Sequence, residues 1–278
     1  MTQSVPRILC QPGRNIGCGS CCGMYNTRES SPHQIQARLL ERTRAFEQHV
    51  DIHDVPSLQA FRLQWEPAPE DKLLSDLPSC PFLGYLDADA PGGRVGCMIH
   101  PTRYDGLDQR DCGVYDRFIC EDYLCAAHSL LSLREKRLIL DAVEDSFLYG
   151  LVITDVRFVR ALFELTAQRN GMAPPERVLQ RPQALEHARA YFELKRDWPY
   201  RGIDGIFGSV VPGQGLETSR RAPPHEQVRA SSGQDVKAHA LDAVLICLGT
   251  QVSTLEELRH ARALVDAALE RFGDAVEL

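Results

Sequence analysis

The stretch Cys18-Gly19-Ser20-Cys21-Cys22 places three thiols within five residues, in a chain whose cysteines are very unevenly distributed. Nine of the ten cysteines lie between Cys10 and Cys125, and the second half of the chain contains only Cys247. A Cys-x2-Cys turn lets two sulfurs reach one metal ion without backbone strain, and thiolates are soft ligands for zinc and iron. The sequence therefore predicts that the first half of the chain folds around bound metal.

Eight cysteines form the predicted ligand set, because they recur in short clusters from the first motif onward. They are Cys18, Cys21, Cys22, Cys80, Cys97, Cys112, Cys120 and Cys125. Four thiolates can enclose a cubane iron–sulfur cluster, and two sets of four can enclose two zinc ions, so the residues leave both cofactors open. Cys21 and Cys22 are adjacent and cannot easily bind the same small ion, so one of them is assigned to a second site or to the core.

Four other residues, two cysteines and two histidines, have a less defined role. Cys10 precedes the main motif and is an open candidate. His100 and His128 each follow a cysteine at Cys-x2-His spacing and offer imidazole as an alternative ligand. Cys247 lies in the apolar run 243–248 and is predicted to be a small buried apolar side chain.

The composition of the 278 residues is typical of a globular protein, with 44% hydrophobic and 25% charged residues. A net charge of −7 argues against nucleic-acid binding, which usually needs a basic surplus. No run of about 18 apolar residues predicts a membrane span, and the N-terminus lacks the apolar run of a signal peptide. We therefore expect a cytoplasmic protein, in which clustered cysteines indicate metal rather than disulfides.

The fold class predicted is mainly α, with an irregular cysteine-rich metal-binding module at 1–129 packed on a mostly helical region at 130–278, and the sequence leaves open whether these are two domains or one. Few short strands are expected, and these lie near Cys80-Pro81-Phe82-Leu83 and 95–99. Residues 66–95 are predicted to be mostly irregular, and 199–234 a long loop.

Capping and stop signals predict where the helices begin and end. Helices are expected from Ser31 onward, from the capping box Ser132-Leu133-Arg134-Glu135 to about Gly150, from Asp155 to Gly171, over 182–197, over 235–248, and over 255–272 after the capping box Thr254-Leu255-Glu256-Glu257.

Four motifs together resemble the bacterial cysteine-cluster proteins described as a zinc- or iron-chelating Cys-x2-Cys-x2-Cys-Cys domain. The motifs are Cys18-Gly19-Ser20-Cys21-Cys22-Gly23, Cys80-Pro81-Phe82-Leu83-Gly84, Gly96-Cys97-Met98-Ile99-His100-Pro101 and Arg110-Asp111-Cys112-Gly113-Val114-Tyr115. The resemblance covers roughly residues 10–130. The family's first cysteine falls at Asn15 here, so the resemblance leaves that role to Cys10, Cys120 or Cys125.

Flagellin lysine N-methylase is similar in its cysteine pattern, and its cluster is of the iron–sulfur type. The resemblance therefore favours a [4Fe-4S] cluster over zinc and implies modification of a protein side chain, with a protein or peptide partner. Two other functions stay open, namely a non-catalytic zinc-binding structural or metal-handling module, and a thiol-redox protein that uses Cys21 and Cys22 directly. No residue is predicted to be catalytic.

Overall fold

The computed structural model describes residues 8–13, 15–29, 31–87, 93–202 and 222–277. The chain forms two compact units. The cysteine unit comprises the described residues of 6–125 together with 145–150, and the helical unit comprises those of 126–144 and 151–277. The structure is mainly helical with one small sheet, which confirms the predicted fold class. The division at 129/130 into separate modules stays a prediction.

The cysteine unit contains three helices and a two-stranded sheet. They are α1 Pro32–His49, α2 Val55–Trp65, β1 Leu83–Tyr85, β2 Val95–Cys97 and α3 Arg117–Asp122. Three 3-10 turns accompany them, at Pro69–Asp71, Pro101–Arg103 and Arg110–Cys112. Helix α1 begins as predicted, because the Ser31 side chain accepts from the Gln34 N–H and Pro32 occupies the first helical turn.

The core of the cysteine unit is aromatic and surrounds the sheet. It consists of Phe46, Leu58, Phe61, Phe82, Met98 and Ile99. Three of these flank the strands, and the others come from one face each of α1 and α2. Strand β1 pairs with β2 in antiparallel register, with Leu83 opposite Cys97 and Tyr85 opposite Val95. This sheet therefore places Cys97 directly on the core.

The helical unit is built from amphipathic helices packed on one another. Its helices are α4 Ala127–Leu130, α5 Leu133–Ala142, α6 Ser146–Ile153 (of which 146–150 belong to the cysteine unit), α7 Val156–Asn170, α8 Glu176–Leu179, α9 Pro182–Glu193, α10 Pro224–Ser232, α11 Asp242–Cys247 and α12 Leu255–Ala275. Helix α12 packs against α7 and α9. Both predicted capping boxes are present, at Ser132 and Thr254, and Asp155 and Gly171 bound α7 as expected.

An ion pair lies in the core of the helical unit. The Lys195 ammonium, which is fully buried, donates to the Asp155 carboxylate at 2.5 Å and to the Cys247 carbonyl at 2.7 Å. Cys247 itself is 2% exposed, which confirms the prediction that it is buried.

Several predicted boundaries are wrong. The helix expected to run from Ser132 to about Gly150 ends at Ala142, because Val143 is extended, and a new helix begins at Ser146. The helices expected over 182–197 and 235–248 are shorter, at Pro182–Glu193 and Asp242–Cys247. Part of the loop expected over 199–234 is helix α10, and 203–221 lie outside the described residues.

None of the described helices is both long enough and apolar enough to cross a membrane.

Candidate metal centre

The first cysteine motif is a loop whose backbone is tied to other segments of the cysteine unit. The Cys18 N–H donates to the Cys10 carbonyl at 2.9 Å, and the Cys80 N–H donates to the Cys22 carbonyl at 2.9 Å. Two thiol-bearing residues that are far apart in sequence are therefore joined by a backbone hydrogen bond. This contact aligns the Cys22 turn with the entry to β1.

Close glycine contacts hold the loop in place. Gly23 has φ +87°, and a Cβ there would lie 2.6 Å from the Ser79 hydroxyl oxygen. A Cβ on Gly17 would lie 2.0 Å from the Val95 carbonyl oxygen. Only glycine permits so close an approach of loop to strand, and a positive φ strains other residues.

A single hydroxyl joins this loop to strand β2. The Ser146 Oγ accepts from the Gly17 N–H at 2.9 Å and from the Val95 N–H at 3.2 Å, and it donates to the Gly93 carbonyl at 2.6 Å. Ser146 therefore fixes the residue before Cys18 against the strand that ends in Cys97.

Four cysteines form what we call the first thiol group, defined by their mutual electrostatic effects: Cys10, Cys18, Cys21 and Cys125. Burial and then the charge of Cys125 raise the pKa of Cys10 to about 11. Burial, Cys125 and Cys10 raise the pKa of Cys21 to about 12. Burial, Cys10 and Cys21 raise the pKa of Cys18 well above its ordinary range.

Four others form the second thiol group: Cys22, Cys80, Cys97 and Cys120. Burial, then Cys80 and Cys97, and after them Cys21 and Cys10, raise the pKa of Cys22 well above its ordinary range. Burial and then Cys80 raise the pKa of Cys97 to about 12, and they raise the pKa of Cys120 as well. The charges that act most strongly on Cys21 and Cys22 thus come from different groups, and the two groups adjoin at this pair.

The thiols do not form a closed coordination shell. Among the residues that the structure describes, no three His, Cys, Asp or Glu side chains form a group that could hold a metal ion. The two thiol groups are therefore regions in which each thiol responds to the charge of its neighbours. All ten cysteines lie in the described part of the chain, and none forms a disulfide.

Backbone N–H groups point at several of the sulfurs. Cys80 interacts with the N–H groups of Phe82 and Val114, and these interactions lower its pKa against the larger effect of burial. The N–H groups of Ile99 and Ser20 act in the same sense on Cys97 and Cys18. Hydrogen bonds of this kind favour the thiolate, which is the form that binds metal.

Arginines surround the second thiol group, and the sequence analysis missed them. Arg42 and Arg62 lower the pKa of Cys80, and Arg110 does so for Cys97 and Cys120, in each case against burial. Asp108 holds Arg110 through two hydrogen bonds, of 2.9 and 2.7 Å. By contrast, the charges that most strongly shift the pKa values of Cys10, Cys18 and Cys21 are those of other cysteines.

One signal for Arg42 is present in the sequence. It occupies the same helical stripe as the buried residues Ile35, Leu39 and Phe46, at spacings of three and four. A guanidinium at a core position of an amphipathic helix indicates a buried partner or ligand.

Two predicted candidates have pKa values that are shifted by burial and by charges other than those of cysteines. Cys112 packs against the aromatic core, and burial followed by the Asp111 carboxylate raises its pKa. It stays a predicted ligand. The His100 ring accepts from the Thr102 N–H and so caps a 3-10 turn.

Helix α3 supplies one thiol to the second group and leads into Cys125 of the first. Its side chains face solvent, with Phe118 64% and Ile119 49% exposed, and Cys120 is exposed as well. Asp116 caps the helix at the Ile119 N–H. The thiols at Cys120 and Cys125 therefore sit on the least buried segment of the centre.

No protein-family model, curated protein or solved structure matches this chain. The resemblance to cysteine-cluster proteins accordingly stays a prediction.

Proposed function

We propose that this protein is a metalloprotein that binds a [4Fe-4S] cluster at each of its two thiol groups, with zinc as the alternative metal. One observation supports this most strongly: burial, followed by the charges of thiols from segments far apart in the chain, raises the pKa values of Cys18, Cys22 and Cys97. Burying several ionisable sulfurs together is unfavourable for their thiolate forms unless a cation compensates the charge.

The donor set fits a soft metal. Each group offers four sulfurs, which is the number that a cubane cluster or a tetrahedral zinc ion takes. Backbone N–H groups near Cys80 and Cys97 favour thiolate at those positions, and such hydrogen bonds also tune iron–sulfur clusters. Because no described group is closed, ligation requires the side chains to converge as metal binds, in keeping with the coupling of metal binding to folding.

The residues around the sulfurs have distinct tasks in this proposal. A bound iron–sulfur cluster would supply one-electron redox chemistry. The aromatic core shields Cys80 and Cys97 from water, and Arg42 and Arg62 offset thiolate charge at Cys80. Ser146 holds the Cys18 loop against β2.

Zinc is the second candidate because two separate groups of four thiols match two closed structural zinc sites with four cysteine ligands each. A protein with that content would be a non-catalytic structural or metal-handling module. Modification of a protein side chain stays a prediction that rests on the cysteine pattern alone.

Anaerobic purification followed by a visible spectrum and elemental analysis tests the proposal. Brown protein with stoichiometric iron and sulfide supports iron–sulfur, and colourless protein with stoichiometric zinc supports the structural alternative. Metal-free protein with reactive thiols would overturn both and favour thiol-redox chemistry.

A further inference from the structure

A cleft of about 480 Å³ lies within the cysteine unit, beside the second thiol group. Cys22 and Cys80 line it, together with residues of α1 and the Trp65 side chain at the end of α2. Its volume lies within the range of roughly 300–1,000 Å³ typical of small-molecule sites. Its lining combines apolar side chains with three arginines, Arg28, Arg38 and Arg42, and with the two carboxylates of Glu29 and Asp71.

Arg42 is the unusual member of this lining. It is only 8% exposed, and its one side-chain hydrogen bond among the described residues is a long one of 3.4 Å, from Nη1 to the Cys80 carbonyl. Its Nε–H is buried and meets no acceptor in the described structure. A guanidinium has five N–H donors, and buried donors are almost always paired, so this side chain lacks acceptors.

Trp65, which lines the same cleft, also carries a hydrogen-bond donor without an acceptor among the described residues. Its indole N–H is buried and has no acceptor within the described part of the chain. One face of its ring stacks on Phe61, with centroids 5.9 Å apart. Two independent side chains that line one cleft thus each carry a buried donor without an acceptor.

The charges around the cleft are not balanced. Arg38 lies one helical turn before Arg42, where like charges repel. Arg38 donates to the Thr27 hydroxyl and meets the Glu29 carboxylate only at 4.0 Å, with both side chains well exposed. No described carboxylate pairs with Arg42 itself. Burial lowers the pKa of Arg42 to about 10, so the guanidinium stays charged at neutral pH.

We propose that this cleft binds a small organic anion, whose carboxylate or phosphate is held by Arg42 and Arg38 and whose apolar part lies against Leu39 and Trp65. A planar guanidinium fork matches either oxyanion through paired hydrogen bonds. The ligand would supply the acceptors that Arg42 and Trp65 lack. The site goes beyond the proposed metal binding and does not depend on it.

The competing explanation is that the two arginines serve only to offset thiolate charge at Cys22 and Cys80. Under that explanation the cleft has no preference for an anionic ligand over a neutral one of the same shape. The test therefore compares benzoate and phenyl phosphate with the neutral benzamide.

Calorimetric titration of the full-length, anaerobically purified protein supplies the measurement. We expect benzoate or phenyl phosphate to bind at least roughly tenfold more tightly than benzamide, because hydrogen bonds to a charged group are stronger than neutral ones. The tighter of the two identifies carboxylate or phosphate as the preferred group. Equal affinity for benzamide, or no binding of either anion, would overturn the proposal.

Three variants locate the site. Arg42→Lys keeps the charge but loses the fork, and Arg38→Gln removes the second guanidinium from a side chain that is 40% exposed, so its folding is secure. Each should weaken anion binding roughly tenfold. Arg44→Gln, on the exposed face of the same helix, is the matched control and should leave affinity unchanged.

Metal content and thermal unfolding are measured on every variant in parallel. If Arg38→Gln binds the anion with wild-type affinity, the assignment of the site to Arg38 and Arg42 is refuted. This test holds even if Arg42→Lys fails to fold. If the purified protein holds no metal and still binds the anion through these arginines, the metal proposal fails and the cleft stands.

Discussion

Replacing Cys21 or Cys22 by alanine separates the two thiol groups, although the residues are adjacent. Among neighbouring thiols, Cys125 and Cys10 raise the pKa of Cys21 most, whereas Cys80 and Cys97 raise the pKa of Cys22 most. Each single substitution therefore removes a donor from one group only. If each group of four holds one cubane, either variant should fall from about eight to about four iron atoms per chain, or from about two zinc ions to about one.

The assay is elemental analysis of anaerobically purified protein, with sulfide determination and the visible spectrum. The double variant Cys21→Ala/Cys22→Ala should lose nearly all metal. Cys247→Ala, in the helical unit, is the control and should retain the full metal content.

Three results would refute this reasoning. Either single variant could lose all metal, which would mean one shared site. Both could retain all metal, which would mean that neither sulfur is a ligand. Cys247→Ala could lose metal, which would mean that the site is misplaced.

Three further predictions concern stability. Metal-free protein should lose thermal stability from about pH 9 upward. Cys97, for example, has a pKa of about 12 in the folded protein against an ordinary 9.0, so between these values the thiol keeps its proton only in the folded state. A constant melting temperature from about pH 8 to about pH 10.5 would contradict this prediction. Gly106→Ala should cost about 1–2 kcal/mol in the free energy of unfolding for its positive φ alone. Gly23→Ala should cost clearly more, since its Cβ would also meet Ser79, and equal losses in urea denaturation would disprove the contact. Lys195→Met should destabilise the helical unit by about 3–5 kcal/mol, because it removes the ammonium that pairs with the buried Asp155 carboxylate, with metal content unchanged; a loss below about 1 kcal/mol would show that the pair is dispensable.

The sequence predicted those helix ends that are set by capping hydrogen bonds between neighbouring residues. The capping boxes at Ser132 and Thr254 and the caps at Ser31 and Asp155 are all observed, because each is a hydrogen bond between residues three apart. Helix α2 was missed. It buries only Leu58 and Phe61, so its periodicity is weak.

The break between α5 and α6 could not be predicted from local sequence. Ser146 begins α6 while its hydroxyl bonds with Gly17, Gly93 and Val95, all far away in the chain. Such a contact is decided by tertiary structure and leaves no periodic trace. The Asp145 carboxylate, which accepts from the Leu148 N–H, was the only local sign of a new helix start.

The candidate site was likewise predictable only in part from the sequence. The unusual density of cysteines predicted which residues are candidate metal ligands. Their partition into two groups depends on which thiols the Cys80–Cys22 backbone contact and the β1–β2 register bring together. Spacing along the chain contains no such information, and it left Cys10 undecided.

The exposure of α3 has a consequence for how this protein would meet oxidants. Cys120 is exposed, whereas the other thiols of both groups are partly buried. Peroxide arriving from solvent would encounter the Cys120 sulfur first. Oxidation of this single thiol would alter the second thiol group before the first, so the two groups would respond to an oxidant in sequence.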